Sequence, residues 1–372
     1  MSIKTKLLNN LSQIPGWHTN RKIIVIESDD WGSIRMKSSA TINSLNKMGI
    51  DISDPYNLND SLASEQDLAF LFETLVSFKD KNGNHPIVTA NAIIANPDFE
   101  KIKNSDYTEY HYEIFTDTLK KYPNHVNSFK LWKEGMNNNL FHPQYHGREH
   151  VNIFRWLKEL KNKNSKVRLS FEHEIFGLRN SKMDMRDSYM RALDFQNINE
   201  LKIIEDNLIE GIEIFNAIFG YYSKSFIAPS YVWNSTVEKE LYKFKVKYLQ
   251  GISYQYIPEI GKEKLTKKLH YLGQKNKQGQ IYLVRNAFFE PSLNRTNHSV
   301  EDTLHRINLA FKWNKPAIIG SHRLNYIGYV NEKNRDKNLK LFAELLKEII
   351  KKWPDVEFMS SDQLGDLITK SN

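Results

Sequence analysis

Ile23–Ser33 reads IIVIESDDWGS, an apolar run that ends in Glu27, Ser28, Asp29 and Asp30 before Gly32 releases the chain. Consecutive apolar residues make both faces of an extended segment hydrophobic, which suits a parallel strand covered by helices. In α/β barrels and open sheets, functional groups sit just beyond the carboxyl ends of such strands. Lys22–Ile26 (KIIVI) is therefore read as a buried strand, followed by His85–Ala90 (HPIVTA), Lys166–Phe171 (KVRLSF), Ser225–Ala228 (SFIA), Gln280–Val284 (QIYLV), Pro316–Ile319 (PAII) and Val356–Met359 (VEFM).

Helical patterns lie between these runs. Leu201, Ile204, Leu208, Ile212, Phe215 and Phe219 recur at three- and four-residue spacings, one apolar stripe on a long helix. Leu339, Phe342, Leu346, Ile349 and Ile350 repeat the pattern until Pro354, and Ser360 or Ser361 opens a last helix through Leu364 and Leu367. Alternating strand and helix predicts an α/β fold with a parallel sheet. About seven strands close more naturally into a barrel than into an open sheet, and spacing alone does not decide between the two. With no repeat or linker in view, residues 1–372 are read as a single domain. The long polar, aromatic-rich stretches 37–84 and 98–138 are expected to be helical insertions covering one face.

Composition narrows the chemistry. The chain has no cysteine, which excludes disulfides, thiolate nucleophiles and Cys-based metal sites, so any metal must sit on His, Asp and Glu. Its formal charge of +8 comes from lysines spread along the chain rather than gathered with aromatics, so solvated basic faces are expected and not a nucleic-acid partner. No window offers the roughly 18 apolar residues of a spanning helix. The N-terminal MSIKTKLLNNLSQIPGW lacks an apolar signal region, and the chain is expected to be cytoplasmic.

Two segments stand out for chemistry. Asp29 and Asp30 are adjacent carboxylates that need a cation or a shared proton to coexist, though either could simply cap the turn. In NNNLFHPQYHGREHVN, His142, His146 and His150 are four apart, the spacing that places imidazoles on one helical face. Pro143 suits a first helical position, which puts His142 at a strand end and His146 one turn into a helix. Gln144 and Tyr145 occupy the place of the Glu in HExxH, so a base must come from elsewhere. A third strand end carries Ser321 and His322, and imidazole serves as ligand or acid/base near neutral pH. Weaker candidates follow other predicted strands: Glu172 and His173, Pro229, Tyr231 and Trp233, then Arg285, Asn286 and Glu290. Tyr231, Trp233 and Trp31 are aromatic groups suited to a sugar ring and equally to a core boundary, and Arg285 could orient a carboxylate.

Taken in order, ESDDWG, HPQYH, APSYVW and GSHR resemble the motifs of the polysaccharide deacetylase family, the NodB-homology carbohydrate esterases. The resemblance runs from about residue 22 to 362. It implies a distorted (β/α) barrel of about seven strands with a divalent metal, usually zinc, on Asp30, His142 and His146. It makes Asp29 the general base and His322 the general acid, with backbone N–H groups near Tyr231 holding the oxyanion. The substrate so implied is an N- or O-acetylated saccharide of surface-polysaccharide metabolism. A glycoside hydrolase on the same barrel, pairing Asp29 with Glu172 or Glu290, is the alternative. Arg285–Asn286 stand near the family's fourth motif, and whether His150 or His173 joins the site is left open.

Overall fold

The computed structural model describes Asn10 and residues 13–163, 165–178, 188–293 and 299–371, so most of the stretch inspected for a signal lies outside the described residues. Nine strands form one sheet in which every pairing is parallel. They are β1 (Ile23–Trp31), β2 (Val88–Ile93), β3 (Phe141–Gly147), β4 (Ser225–Ile227), β5 (Tyr248–Gly251), β6 (Ile281–Val284), β7 (Ala287–Phe288), β8 (Ala317–His322) and β9 (Glu357–Met359). The order is β6-β5-β4-β3-β2-β1-β8-β7, with β9 also on β1.

The two ends of that order are halves of one run. Between them the Arg285 N–H donates to Gly251 O of β5, and the Asn286 N–H donates to Ile318 O of β8. The chain thus bridges both neighbours and closes a distorted barrel. With β6 and β7 taken as one strand and β9 left outside the ring, seven strands remain, but two of them, β3 and β5, are not among the strands read from the sequence, and Val356–Met359 lies off the ring.

Alternation along β1 explains the layering. Ile24 and Ile26 join the main core, whereas Ile23 and Val25 join a smaller cluster with Tyr248, Ile318, Leu364 and Ile368. Leu364 and Ile368 belong to the last helix, Ser361–Ser371. Glu27 and Asp29 continue the second face toward the carboxyl end. The stripe on Ile198–Phe219 buries Leu201, Ile204, Leu208, Ile212 and Phe215, and Asn197 caps that helix. Glu332–Lys352 buries Leu339, Phe342, Leu346 and Ile349 in the same way. Helices follow the first strands: Ser39–Lys47, Pro55–Asn59 and Glu65–Val76 after β1, then Phe99–Asn104, Phe115–Lys120 and Ser128–Asn137 after β2.

Two segments depart from the sequence reading. Lys166–Phe171 is a helix, not a strand. Its Val167, Ser170 and Phe171 are buried at helical spacing, and the Ser165 side chain caps Arg168 N–H. His142–His146 lies within strand β3 rather than on a helix. Pro143 is tolerated there because β4 has not begun beside it. That strand meets β3 only at Tyr145–Phe226, and the Pro143 carbonyl accepts from the Tyr221 hydroxyl at 2.7 Å.

Candidate active site

In an unbroken strand Asp29 and Asp30 would point to opposite faces. Here the β1–β2 register shifts between Ser28 and Trp31, and Asp30 has φ +73°, a left-handed conformation costly for a residue with a Cβ. Both carboxylates consequently line one cavity of about 590 Å³, together with His146, His150, His322, Arg35, Tyr56 and Tyr231.

Asp29 is buried and held from two sides. Arg285 donates Nη1 to Oδ2 at 2.7 Å and Nη2 to Oδ1 at 2.6 Å, and Asn91 Nδ2 donates to Oδ1 at 2.7 Å. Burial by itself would raise this carboxyl, but the guanidinium outweighs it and holds the group at about 2. Arg285 also donates to Glu27 at 2.6 Å, so one buried cation serves two carboxylates. Gly320 makes room for it, since a Cβ there would stand 2.7 Å from Arg285 Cδ.

Asp30 faces two imidazoles. His146 Nε2 stands 3.5 Å and His150 Nε2 3.3 Å from its Oδ1, an oxygen that is buried with no hydrogen-bond partner among the described residues. The other oxygen accepts from Arg35 Nη2 at 3.1 Å. Nδ1 of His146 is engaged with the Ile227 carbonyl at 2.8 Å, leaving Nε2 as the free lone pair. Burial pushes His150 down to about 3, keeping it neutral as a ligand must be. The three ligand atoms all lie within 4.8 Å of one another. An orphaned buried oxygen facing two imidazole nitrogens is a donor set that fits a divalent ion such as zinc.

His142 is not part of this group. Four residues earlier on an extended strand it lies roughly 13 Å away at about 3.3 Å per residue. Its ring stacks on Tyr221, and its Nε2 is 3.2 Å from Asp362 Oδ1. The chain turns after Gly147, and this return brings His150 back to His146 with ring centroids 5.2 Å apart.

His322 pairs in register with Asp29 across β1 and β8. Its Nε2 is 3.8 Å from Asp29 Oδ2, while its Nδ1 meets Glu290 Oε1 at 2.5 Å. Burial opposes the imidazolium, but Glu290 and Asp29 outweigh it and raise the group to about 9. Asn325 Nδ2 holds the second Glu290 oxygen at 2.7 Å.

The sequence matches no protein-family model, and no curated protein matches it. Among solved structures, a protein from Parabacteroides distasonis described as a glycoside hydrolase/deacetylase is similar at 9% identity and TM-score 0.50, over 96% of this chain and 73% of that one. One from Mycobacterium smegmatis, described as a polysaccharide deacetylase, is 11% identical with TM-score 0.41 over 96% and 93%. The likeness is one of fold. A 4-alpha-glucanotransferase from Thermococcus litoralis is 9% identical with TM-score 0.43 over 92% of this chain, which spans 40% of that enzyme's length.

Several expected site residues sit elsewhere. Trp31 is buried edge-on against Trp132 and Phe141 and donates to Ser28 Oγ, so it packs the core rather than a substrate. Trp233 is likewise buried, donating to Glu238. Arg285 is spent on Glu27 and Asp29. The Tyr231 N–H, expected at an oxyanion, donates to Ala228 O at 2.9 Å, although the side chain does line the cavity. Glu172 pairs with Lys103 outside the cavity, and His173 does not line it. Sequence reasoning missed Arg35, Tyr56 and Asp60. Arg35 Nε lies 3.4 Å from Asp60 Oδ2, and Asp60 Oδ1 accepts from Arg323 Nε at 2.9 Å. Arg35 follows Asp30 by five residues, and packing of the helices after β1 brings Tyr56 and Asp60 against it. His150 was visible, because His146–His150 repeats the four-residue spacing.

Proposed function

We propose that this protein is a divalent-metal-dependent hydrolase that removes acetyl groups from a saccharide, with Asp30, His146 and His150 holding the ion. The observation that carries the proposal is Asp30 Oδ1, buried, unpartnered among the described residues and facing Nε2 of His146 and His150. When bound, such an ion supplies Lewis acidity toward an acyl oxygen and makes water more acidic.

Asp29 takes the proton of the attacking water. Arg285 and Asn91 fix its carboxylate in one orientation, so little reorganisation accompanies the transfer. His322, kept protonated beside Glu290, gives its proton to the departing nitrogen or oxygen. Exposed Asp51, Ser53, Asp54 and Lys166 at the cavity rim offer the donors and acceptors that sugar hydroxyls need. The cavity's size falls in the ordinary range for a small-ligand site, roughly 300–1,000 Å³. In this proposal the whole chain works as one barrel domain, with 37–84 and 98–138 as insertions over one face.

Metal analysis and acetate release test the proposal together. The purified protein should carry about one divalent ion per chain. It should then release acetate from N-acetylated or O-acetylated saccharides. Cleavage of the sugar chain without acetate, or turnover unaffected by a chelator, would sink it.

A further inference from the structure

Hydrolysis of an acyl group places negative charge on the acyl oxygen, and donors aimed at that oxygen are commonly the largest single contribution to rate. The backbone donor expected at Tyr231 is occupied by Ala228 O. Beside the two aspartates the other side-chain donors are turned to other groups, and the Tyr231 hydroxyl is held by Arg285 Nη1 at 3.4 Å, while Ser53, Asn57 and Lys166 belong to the outer part of the cavity. Arg35 Nη2 is on Asp30 and its Nη1 on Met190 sulfur, and the Ser230 hydroxyl is on Met190 O. His322 has Nδ1 on Glu290 and Nε2 toward Asp29.

Tyr56 is different. It lines the same cavity, and its hydroxyl donates to no group among the described residues. The ring is nonetheless fixed. Asp54 caps Pro55–Asn59, accepting from the Tyr56 N–H at 2.9 Å, and Pro55 opens the helix. The ring stands edge-on to His322 with centroids 5.4 Å apart, and the Arg35 guanidinium lies 5.5 Å from its centroid. A phenol clamped between the proton-donating histidine and the arginine on Asp30 is a preorganised donor still seeking its acceptor.

Resting on the acetyl-hydrolase proposal, we infer that Tyr56 is a further catalytic residue, its hydroxyl donating a hydrogen bond to the acyl oxygen as charge develops there. The water oxygen bonds to the acyl carbon while Asp29 takes its proton, and the carbonyl π pair moves onto oxygen. Tyr56 donates to that oxygen and keeps its proton. The pair then returns, the bond to the sugar nitrogen or oxygen breaks, and that atom takes the His322 proton. The products are acetate and the deacetylated sugar.

Tyr56→Phe tests this, because it removes only the hydroxyl and keeps the ring against His322 and Arg35. With an N-acetylglucosamine oligomer, kcat should fall about 10²-fold or more, the usual cost of one oxyanion donor. KM, ion content and thermal midpoint should stay near wild type. A methylphosphonamidate analogue of the same sugar, with tetrahedral anionic oxygens, should bind the variant more weakly by a similar factor. A variant with wild-type kcat, or one that changes KM alone, overturns the inference while leaving an active wild type as a deacetylase. An ion-loaded wild type that releases no acetate from any acetylated saccharide overturns both.

Discussion

Arg285 grips Asp29 through two hydrogen bonds of 2.6 and 2.7 Å, with both side chains buried. The same guanidinium reaches Glu27, so one cation from the barrel seam is shared between two carboxylates of β1. The pairing separates the roles of two adjacent aspartates. Asp29 is tied to the barrel interior, while Asp30 is left with an oxygen facing His146 and His150.

Removing that cation should cost both stability and turnover. Arg285→Ala strands two buried carboxylates, and loss of one partner of a buried pair costs about 3–5 kcal/mol. Arg285→Lys keeps the charge but not the two-pronged fork. It should fold, lose kcat by about 10²-fold as a misplaced base does, and shift the acidic limb of the pH–rate profile upward. Urea unfolding and pH–rate curves check both, and an unchanged acidic limb in Arg285→Lys counts against the assignment.

Metal content should follow the tertiary grouping rather than the first histidine pair. His146→Ala, His150→Ala and Asp30→Ala should each lose the ion, and His142→Ala should retain it. Elemental analysis of the four variants decides this. Retention in His150→Ala with loss in His142→Ala would restore the alternative ligand set.

The basic limb should report His322. In the proposed mechanism the acid form is required, so turnover should fall as pH rises through about 9. Glu290→Gln removes the carboxylate that raises it, and the limb should move to lower pH. The stability linkage has the same sign. A folded-state value above the unfolded one, about 6.5, gives stabilisation that is complete below the unfolded value and lost as pH passes about 9. An identical basic limb in Glu290→Gln would contradict the pairing.

Trp31 should behave as a core residue. Trp31→Ala opens a cavity among Trp132 and Phe141 and should destabilise the fold by about 3–5 kcal/mol. Trp31→Phe should leave KM within about twofold, since the side chain is buried away from the cavity and removes no binding contact. A large KM increase in Trp31→Phe, without loss of stability, would return it to the substrate.

Much of the scaffold was legible locally. IIVI, SFI, IYLV and AII are strands because runs apolar on both faces can be buried only between layers. The stripes from Leu201 to Phe215 and from Leu339 to Ile349 are helices because their period matches one turn. The failures have physical causes as well. KVRLSF alternates like a strand, yet a Ser165 cap and burial at positions 167, 170 and 171 make it helical. HPQYH has helical spacing, yet β2 pairs with it along its length and draws it into the sheet.

The sequence alone determined the class of fold, the two aspartates at the first strand end and the late histidine at β8, because each depends on residues adjacent in the chain. Tertiary structure decided which histidines meet Asp30, that Glu290 backs His322, that Arg285 serves Asp29, and that Arg35, Tyr56 and Asp60 enter the site. These contacts depend on strand register, on the bulge at Asp30 and on the packing of an insertion. None of the three leaves a periodic trace in the chain.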